Sequence, residues 1–203
     1  MSDDEIALAK RGLRIDCEAR RETACHHAGA TAGASAAKHF FGAIGVPAGC
    51  VVSGYWPMRH EFDVRPLLET FHARGHVCAL PLVVGKGQPL EFRVWSPGAS
   101  LVEAAFGTRV PADNADVVTP TLLLTPMLAF DARGYRLGYG GGFYDRTLDG
   151  LRASGLTPLA VGCAFHGQRI DRVPVNATDQ RLDWVVTERG ASRFAPETSG
   201  AAA

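Results

Sequence analysis

The chain has 203 residues, 46% hydrophobic and 21% charged, an ordinary globular balance in a length that can bury most of its apolar surface around one core. Its 21 basic residues cancel its 21 acidic ones, which excludes a global field steering it to nucleic acid or anionic lipid. Any anionic ligand has to be caught by a local cluster. Cys17, Cys25, Cys50, Cys78 and Cys163 are odd in number and scattered, with no Cys-x-x-Cys pair, and so argue for reduced thiols rather than a disulfide frame or a zinc site. The opening Met-Ser-Asp-Asp-Glu lacks the pattern of a secretory leader, and the most apolar run, 117–130, is broken by Pro120 and Pro126. A cytoplasmic protein is expected, without membrane or nucleic-acid partners.

In chain order, residues 3–27 carry Ile6, Leu13 and Cys17 on one face with Lys10, Arg11 and Arg14 nearby, which predicts a polar amphipathic helix. A small-residue stretch, 28–37, leads into an apolar helical segment at 39–44. The run 51–56, between Gly49 and Pro57, reads as a buried strand. Asp63 is placed to cap a helix over 64–74 that Gly75 stops. Strands follow at 77–84 and 90–95. A further strand is centred on 122–124 and ends near 127–131. After a glycine turn comes a helix over 143–154, closed by Gly155, then strands at 159–165 and 184–187. This alternation predicts an α/β fold: a three-layer, largely parallel sheet with helices on both faces. Residues 1–192 read as a single domain and 193–203 as a disordered tail.

The most informative stretch is the turn before residue 143. Gly138, Gly140, Gly141 and Gly142 let backbone N–H groups converge on an anion, and the start of the following helix adds its partial positive charge. Arg136 can add a guanidinium contact, and Asp145, one turn into the helix, can reach a cation sitting on that anion. No Gly-Lys-Ser/Thr follows, which excludes a Walker loop, and the third glycine is misplaced for a dinucleotide fingerprint. Taken alone, the glycines also suit a tight strand-to-helix turn of purely structural use.

The whole phrase, Pro126-Met-Leu-Ala-Phe-Asp131 then Gly134-Tyr-Arg-Leu-Gly-Tyr-Gly-Gly-Gly-Phe-Tyr-Asp-Arg146, resembles the signature of the 5-formyltetrahydrofolate cyclo-ligases, also called methenyltetrahydrofolate synthetases. Other pieces fall in family order. Lys10-Arg-Gly-Leu-Arg14 resembles the N-terminal basic element, and Tyr55-Trp-Pro-Met-Arg-His-Glu61 the folate-binding segment. Phe92-Arg-Val-Trp95 resembles the strand after it, and Val173-Pro-Val-Asn-Ala-Thr-Asp179 with Leu182-Asp183 the C-terminal metal element. The resemblance implies a sheet like that of the sugar-phosphate isomerase and CoA-transferase group. It implies an ATP- and Mg²⁺-dependent closure of 5-formyltetrahydrofolate to 5,10-methenyltetrahydrofolate by a monomer or weak homo-oligomer.

By the same resemblance, ATP contacts fall on Lys10, Arg14, Arg136, Leu137, Gly138, Tyr139, Gly140, Gly141, Gly142, Phe143 and Tyr144, of which Arg136 and Tyr144 are also the catalytic candidates. Folate contacts fall on Trp56, Met58, Glu61, Trp95, Tyr139 and Phe143, and the metal on Asp145 and Asp179, with Asp183 the alternative to Asp179. Two positions depart from the family pattern. The turn Tyr139-Gly-Gly-Gly lacks the basic residue often found there, so phosphate binding leans on backbone N–H groups and on Arg136, Lys10 and Arg14. Thr178 stands where a His is frequent.

Without the resemblance each residue has a plainer reading. Lys10 and Arg14 suit a solvated basic face, Glu61 a surface position, and Trp56, Met58 and Trp95 a core. Cys25-His26-His27 is not read as a metal site, because adjacent residues rarely converge on one ion and no distant partner is evident. Two other readings stay open: a sugar-phosphate isomerase or CoA-transferase relative that uses no ATP, and a catalytically silent nucleotide- or folate-binding protein.

Overall fold

The computed structural model describes residues 1–112 and 114–195. The chain runs α1 (Asp3–Ala28), α2 (Ala32–Ala43), β1 (Val51–Ser53), α3 (Arg65–Ala73), β2 (Val77–Val83), β3 (Leu90–Trp95), β4 (Leu101–Glu103) and β5 (Arg109–Pro111). It continues through β6 (Leu122–Thr125), β7 (Ala129–Phe130), β8 (Arg136–Leu137), α4 (Phe143–Ala153), β9 (Leu159–Cys163), β10 (Trp184–Thr187) and β11 (Gly190–Arg193). Seven strands form one sheet in the order β11-β10-β9-β6-β1-β2-β3. The central strands β10, β9, β6, β1 and β2 pair in parallel, and β11 and β3 close the two edges antiparallel.

Side-chain alternation divides the strands between two cores. Leu122 and Leu124 of β6, Val161 and Cys163 of β9, and Val186 of β10 face α2 and α3. Their neighbours Leu123, Ala160 and Val185 face the other way, toward Leu148 and Leu151 of α4. A three-layer, mostly parallel arrangement follows, as the alternating pattern predicts. A third cluster packs Cys17 and Leu13 of α1 against Leu128, Ala129 and Leu137 of the small β7–β8 hairpin. That contact sets α1 beside the glycine turn.

Helix starts and stops follow local chemistry. Ser2 and Glu5 form a capping box at the start of α1. α2 begins at Ala32, earlier than the segment 39–44: alanine is the best helix former, and Gly33 lets the helix approach the Asp63 carbonyl, where an added Cβ would stand 2.5 Å from that oxygen. The N-cap of α3 is Val64, while Asp63 accepts from the Arg65 amide and guanidinium just inside the helix. β1 stops at Ser53, so residues 55–58 leave the sheet instead of extending the strand to 56. At the other end, Arg193 pairs with Trp184 in β11 and Phe194 packs on the α4-side core, which corrects a tail beginning at 193; residues 196–203 of that tail lie outside the described residues.

β1 has β2 on one side and β6 on the other, so the order in which successive strands are laid down reverses between the parallel strands β1 and β6. In open parallel sheets, crevices for ligands form at the carboxyl ends of strands at such a point. Two buried groups stiffen this end. The Gln168 amide donates to the Met127 and Leu128 carbonyls, just beyond β6. Asp131, fully buried, accepts from the amides of Arg133, Tyr135 and Val173 and from the Arg133 guanidinium. The acid of the Ala-Phe-Asp phrase therefore organises the β7–β8 turn from behind.

Candidate functional site

A cleft of about 1010 Å³ opens at this switch point. Its size stands at the upper end of small-molecule sites, with room for more than one substrate. One wall is the glycine turn and the first turn of α4; a second is formed by Tyr55, Trp56, Met58, Arg59 and Glu61, and Pro81 and Val83 of β2 also line the cleft. Lys10 and Arg14 enter from α1, Phe106 from the β4–β5 connection, and residues 176–179 from the segment before β10.

The turn wall is built from backbone. Gly140 (φ +100°) and Gly142 (φ +64°) occupy left-handed conformations that side chains rarely adopt. Gly142 is the N-cap of α4 and supplies no side-chain hydrogen bond, so the first amides of the helix stay available at the cleft. Arg14 Nε donates to the Gly138 carbonyl at 2.9 Å, and Arg146 donates to the Gly141 carbonyl, so two cations hold the turn's oxygens away from its N–H groups. Leu137 itself is buried in the α1-side cluster and contributes only main chain. Next to the turn, the Tyr144 hydroxyl is buried without a hydrogen-bond partner among the described residues, and burial raises its pKa, so it stands as a neutral donor.

The charged residues expected around phosphate and metal are close together but engaged with one another. Arg136, 8% exposed, donates to the Gln180 carbonyl and to Asp145 Oδ1, each at 2.8 Å. In this geometry its guanidinium orients Asp145 and is not an open fork for phosphate. Asp145 Oδ1 also accepts from the Gln180 amide, while its second oxygen takes no hydrogen bond from the described residues. Lys10 Nζ binds both oxygens of Asp179 (2.6 and 2.5 Å) instead of reaching the glycine turn. Asp179 also accepts from the Asn176 amide. Asp183 is elsewhere: it lines a separate depression and its carboxylate accepts from the Ala160 amide. That hydrogen bond ties β9 to the start of β10, and Asp183 does not share the lining of the cleft with Asp145 and Asp179.

The second wall is built from side chains. Glu61 is 7% exposed; its Oε2 accepts from the Met58 amide, and its Oε1 lies 3.8 Å from Arg21. Burial raises the Glu61 pKa, partly offset by the Met58 amide, Arg21 and Tyr139. The Tyr139 hydroxyl accepts from Arg21 at 2.5 Å and bonds Glu61, and its pKa is pushed up to about 12 by burial and then by Glu61. Arg21 thus backs both residues from beneath the surface. Trp56 and Met58 line the cleft, and Phe143 faces Phe106 across its mouth at 6.2 Å. Trp95 does not line it: only 4% exposed on β3, it packs edge-on behind Trp56 at 6.4 Å. The folate wall expected there is a core residue supporting Trp56.

Arg21 and Phe106 are absent from the residues singled out by sequence. Arg21 carried a signal: Lys10, Arg14, Cys17 and Arg21 follow an i, i+4, i+7, i+11 stripe that faces one side of a helix. Phe106 carried none, since the β4–β5 ribbon that presents it has no strong pattern.

Among known proteins, the profile of the 5-formyltetrahydrofolate cyclo-ligase family matches residues 7–188. The chain is 36% identical over 133 residues to a 5-formyltetrahydrofolate cyclo-ligase of Escherichia coli strain K12, covering 63% of this chain and 71% of that one. It is 33% identical over 154 residues to one of Mycolicibacterium smegmatis, covering 70% and 75%. It also resembles the solution structure of Aquifex aeolicus 5,10-methenyltetrahydrofolate synthetase, with a TM-score of 0.66, 28% identity, and coverage of 98% of this chain and 96% of that one.

Proposed function

The chain belongs to the 5-formyltetrahydrofolate cyclo-ligase family, and we propose from that premise that it closes 5-formyltetrahydrofolate to 5,10-methenyltetrahydrofolate at the expense of ATP. The observation that carries this reading is the pairing of two unlike walls in one cleft: a backbone anion cradle with a buried hydroxyl unpartnered among the described residues, and a buried carboxylate flanked by apolar side chains. The residues fit a nucleotide with a metal ion. The open amides at the start of α4 suit phosphate oxygens, and the carboxylate of Asp145, held by Arg136 with one oxygen uncommitted, suits a hard cation. When bound, Mg²⁺ would supply charge neutralisation between the phosphates; Asp145 would hold it, joined by Asp179.

The formyl group on N5 is an amide, with a poor electrophile and a poor leaving oxygen. Transfer of the terminal phosphoryl group of ATP to that oxygen turns it into a leaving group, releases ADP, and gives an iminium phosphate. N10 of the same folate then attacks the formyl carbon, and phosphate departs. Positioning and charge stabilisation supply most of such catalysis. In this chain the glycine-turn amides and Arg14 would hold the phosphates in line. The Tyr144 hydroxyl would donate to the group in transfer. Glu61 would accept from the ring N–H and amino donors of the pterin, with Trp56 and Met58 along its faces. Lys10 would leave Asp179 for phosphate as the metal arrives, exchanging one ionic partner for another.

A single catalytic domain that runs through β11 to Phe194, a monomeric or weakly associating state, and a cytoplasmic location complete the proposal. The five free cysteines and the lack of any helix long and apolar enough to cross a membrane among the described residues support that location. The deciding experiment follows the methenyl chromophore with both substrates and with each alone. Growth that needs ATP and 5-formyltetrahydrofolate together supports the reading, and no growth with both present rejects it.

A further inference from the structure

Outside the cleft, the fold gives His26 the distant partner that its own neighbourhood in sequence lacks. Glu22 and His26 are one helical turn apart on α1 and share a face. His60 comes to them from the segment between β1 and α3. One carboxylate oxygen and two imidazole nitrogens from these residues lie within 4.8 Å of one another. His60 Nε2 is 3.6 Å from Glu22 Oε1, and the two imidazole rings are 5.6 Å apart and inclined at 52°. Cys25 points elsewhere, packed against the α2–α3 core.

The donor set is selective. Two imidazoles and a carboxylate suit zinc and its transition-metal neighbours, whereas magnesium favours an all-oxygen shell. Tetrahedral bonds of about 2 Å require donors roughly 3.3 Å apart, so the donors, within 4.8 Å of one another, have to close by up to about 1.5 Å. Glu22 and His26 are exposed and His60 half-buried, which leaves them free to make that shift. His60 is aimed at α1 by a tight turn in which the Glu61 amide donates to the Met58 carbonyl and Arg59 sits in the left-handed region at φ 49°. Beside it, Arg59 pairs with Glu18, which leaves Glu22 to His60.

We propose that Glu22, His26 and His60 form a binding site for a divalent transition-metal ion of the zinc type, with water completing the tetrahedron. The site has a structural consequence for the cleft. Glu22 follows Arg21 and His60 precedes Glu61, so an ion here ties α1 to the cleft segment one residue away from the buried Arg21–Glu61 pair. The proposal rests on the cluster's own geometry and stands whether or not the cleft binds folate.

Calorimetric titration of the metal-stripped full chain with zinc chloride, in a non-coordinating buffer, tests it. One equivalent of zinc should bind. His26→Ala and His60→Ala should each weaken binding by at least about tenfold, while His27→Ala and Cys25→Ser leave it unchanged. Circular dichroism of each variant without metal checks that it folds. In the same samples zinc should raise the melting temperature of the wild type and of His27→Ala, and leave that of His60→Ala in place. Unchanged zinc affinity in folded His26→Ala and His60→Ala, or loss of binding in Cys25→Ser, would overturn the site.

Discussion

The two walls of the cleft are made in opposite ways. The glycine turn is one contiguous stretch whose recognition groups are main-chain amides, set by two left-handed glycines and an uncapped helix start. The second wall is assembled from α1, the segment after β1, and the side chain of Tyr139, and its polar centre is a buried cluster of Arg21, Glu61 and Tyr139. A backbone wall is sensitive above all to bulk, because a Cβ at Gly140, Gly141 or Gly142 would stand 3.1, 2.6 or 2.7 Å from a neighbouring side chain. A side-chain wall is the reverse: shape-preserving changes that alter charge or donor count should be costly there. The contrast teaches that the same cleft should fail in two distinguishable modes.

The largest effect should come from the charged cluster. Arg21→Met keeps length but strips the cation from beside Glu61, both side chains being almost fully buried. Breaking a buried pair from one side costs about 3 kcal/mol at the low end of the usual range, and the low end applies because Glu61 can take up a proton. Urea unfolding should register that loss; a change below about 0.5 kcal/mol would mean that the cluster behaves as a surface pair.

Gly140→Val should come next, and should spare stability relative to binding. It forces a branched side chain into φ +100° with the Arg14 guanidinium 3.1 Å from the new Cβ, displacing the turn. ATP affinity should fall at least about tenfold by calorimetry while the circular dichroism spectrum is retained. Intact ATP affinity in a folded variant would remove the turn from nucleotide binding.

Tyr144→Phe separates stability from chemistry. Deleting a buried hydroxyl that has no partner should leave the melting temperature equal or raise it, by up to about 1 kcal/mol of stability. The turnover rate should drop with the Michaelis constants little changed. A clear loss of stability would show that the hydroxyl is satisfied in the free protein.

The smallest effect is a pH slope. Burial holds the folded pKa of Glu61 above its unfolded value, so the folded state favours the protonated acid. Its contribution to stability is therefore present at low pH and declines as pH rises from the ordinary carboxylate range through the raised value. Glu61→Gln cannot titrate and should flatten that part of the melting-temperature profile. An identical profile in the variant would place the slope on other groups.

How far the sequence reveals this molecule depends on whether a feature is local. β3 and β10 match their sequence-predicted spans, because alternation or apolar density over a few residues decides them. The turn and α4 are legible too, since glycines followed by helix formers state both the stop and the start. The β7–β8 hairpin is not legible: its strands are two residues each, and the Asp131 carboxylate that organises its turn also ties it to the distant Val173 amide rather than to any pattern of its own. Trp95 was misplaced for a related reason. Lining a cleft and backing the residue that lines it look alike in a strand, and only the packing against Trp56 separates them. Lys10 and Asp179 both line the cleft, but their mutual salt bridge spans 169 residues and no local spacing announces it.

The measurement closest to the central claim is a crossed binding experiment. ATP with Mg²⁺ and 5-formyltetrahydrofolate are each titrated into the wild type, Gly140→Val and Glu61→Gln. Glu61→Gln keeps the shape of the carboxylate but turns an acceptor toward the pterin into a donor. The two-wall account predicts that Gly140→Val loses ATP and keeps folate, and that Glu61→Gln loses folate and keeps ATP. Equal losses of both ligands in each folded variant would contradict it, and would make the cleft one continuous site without separate nucleotide and pterin walls.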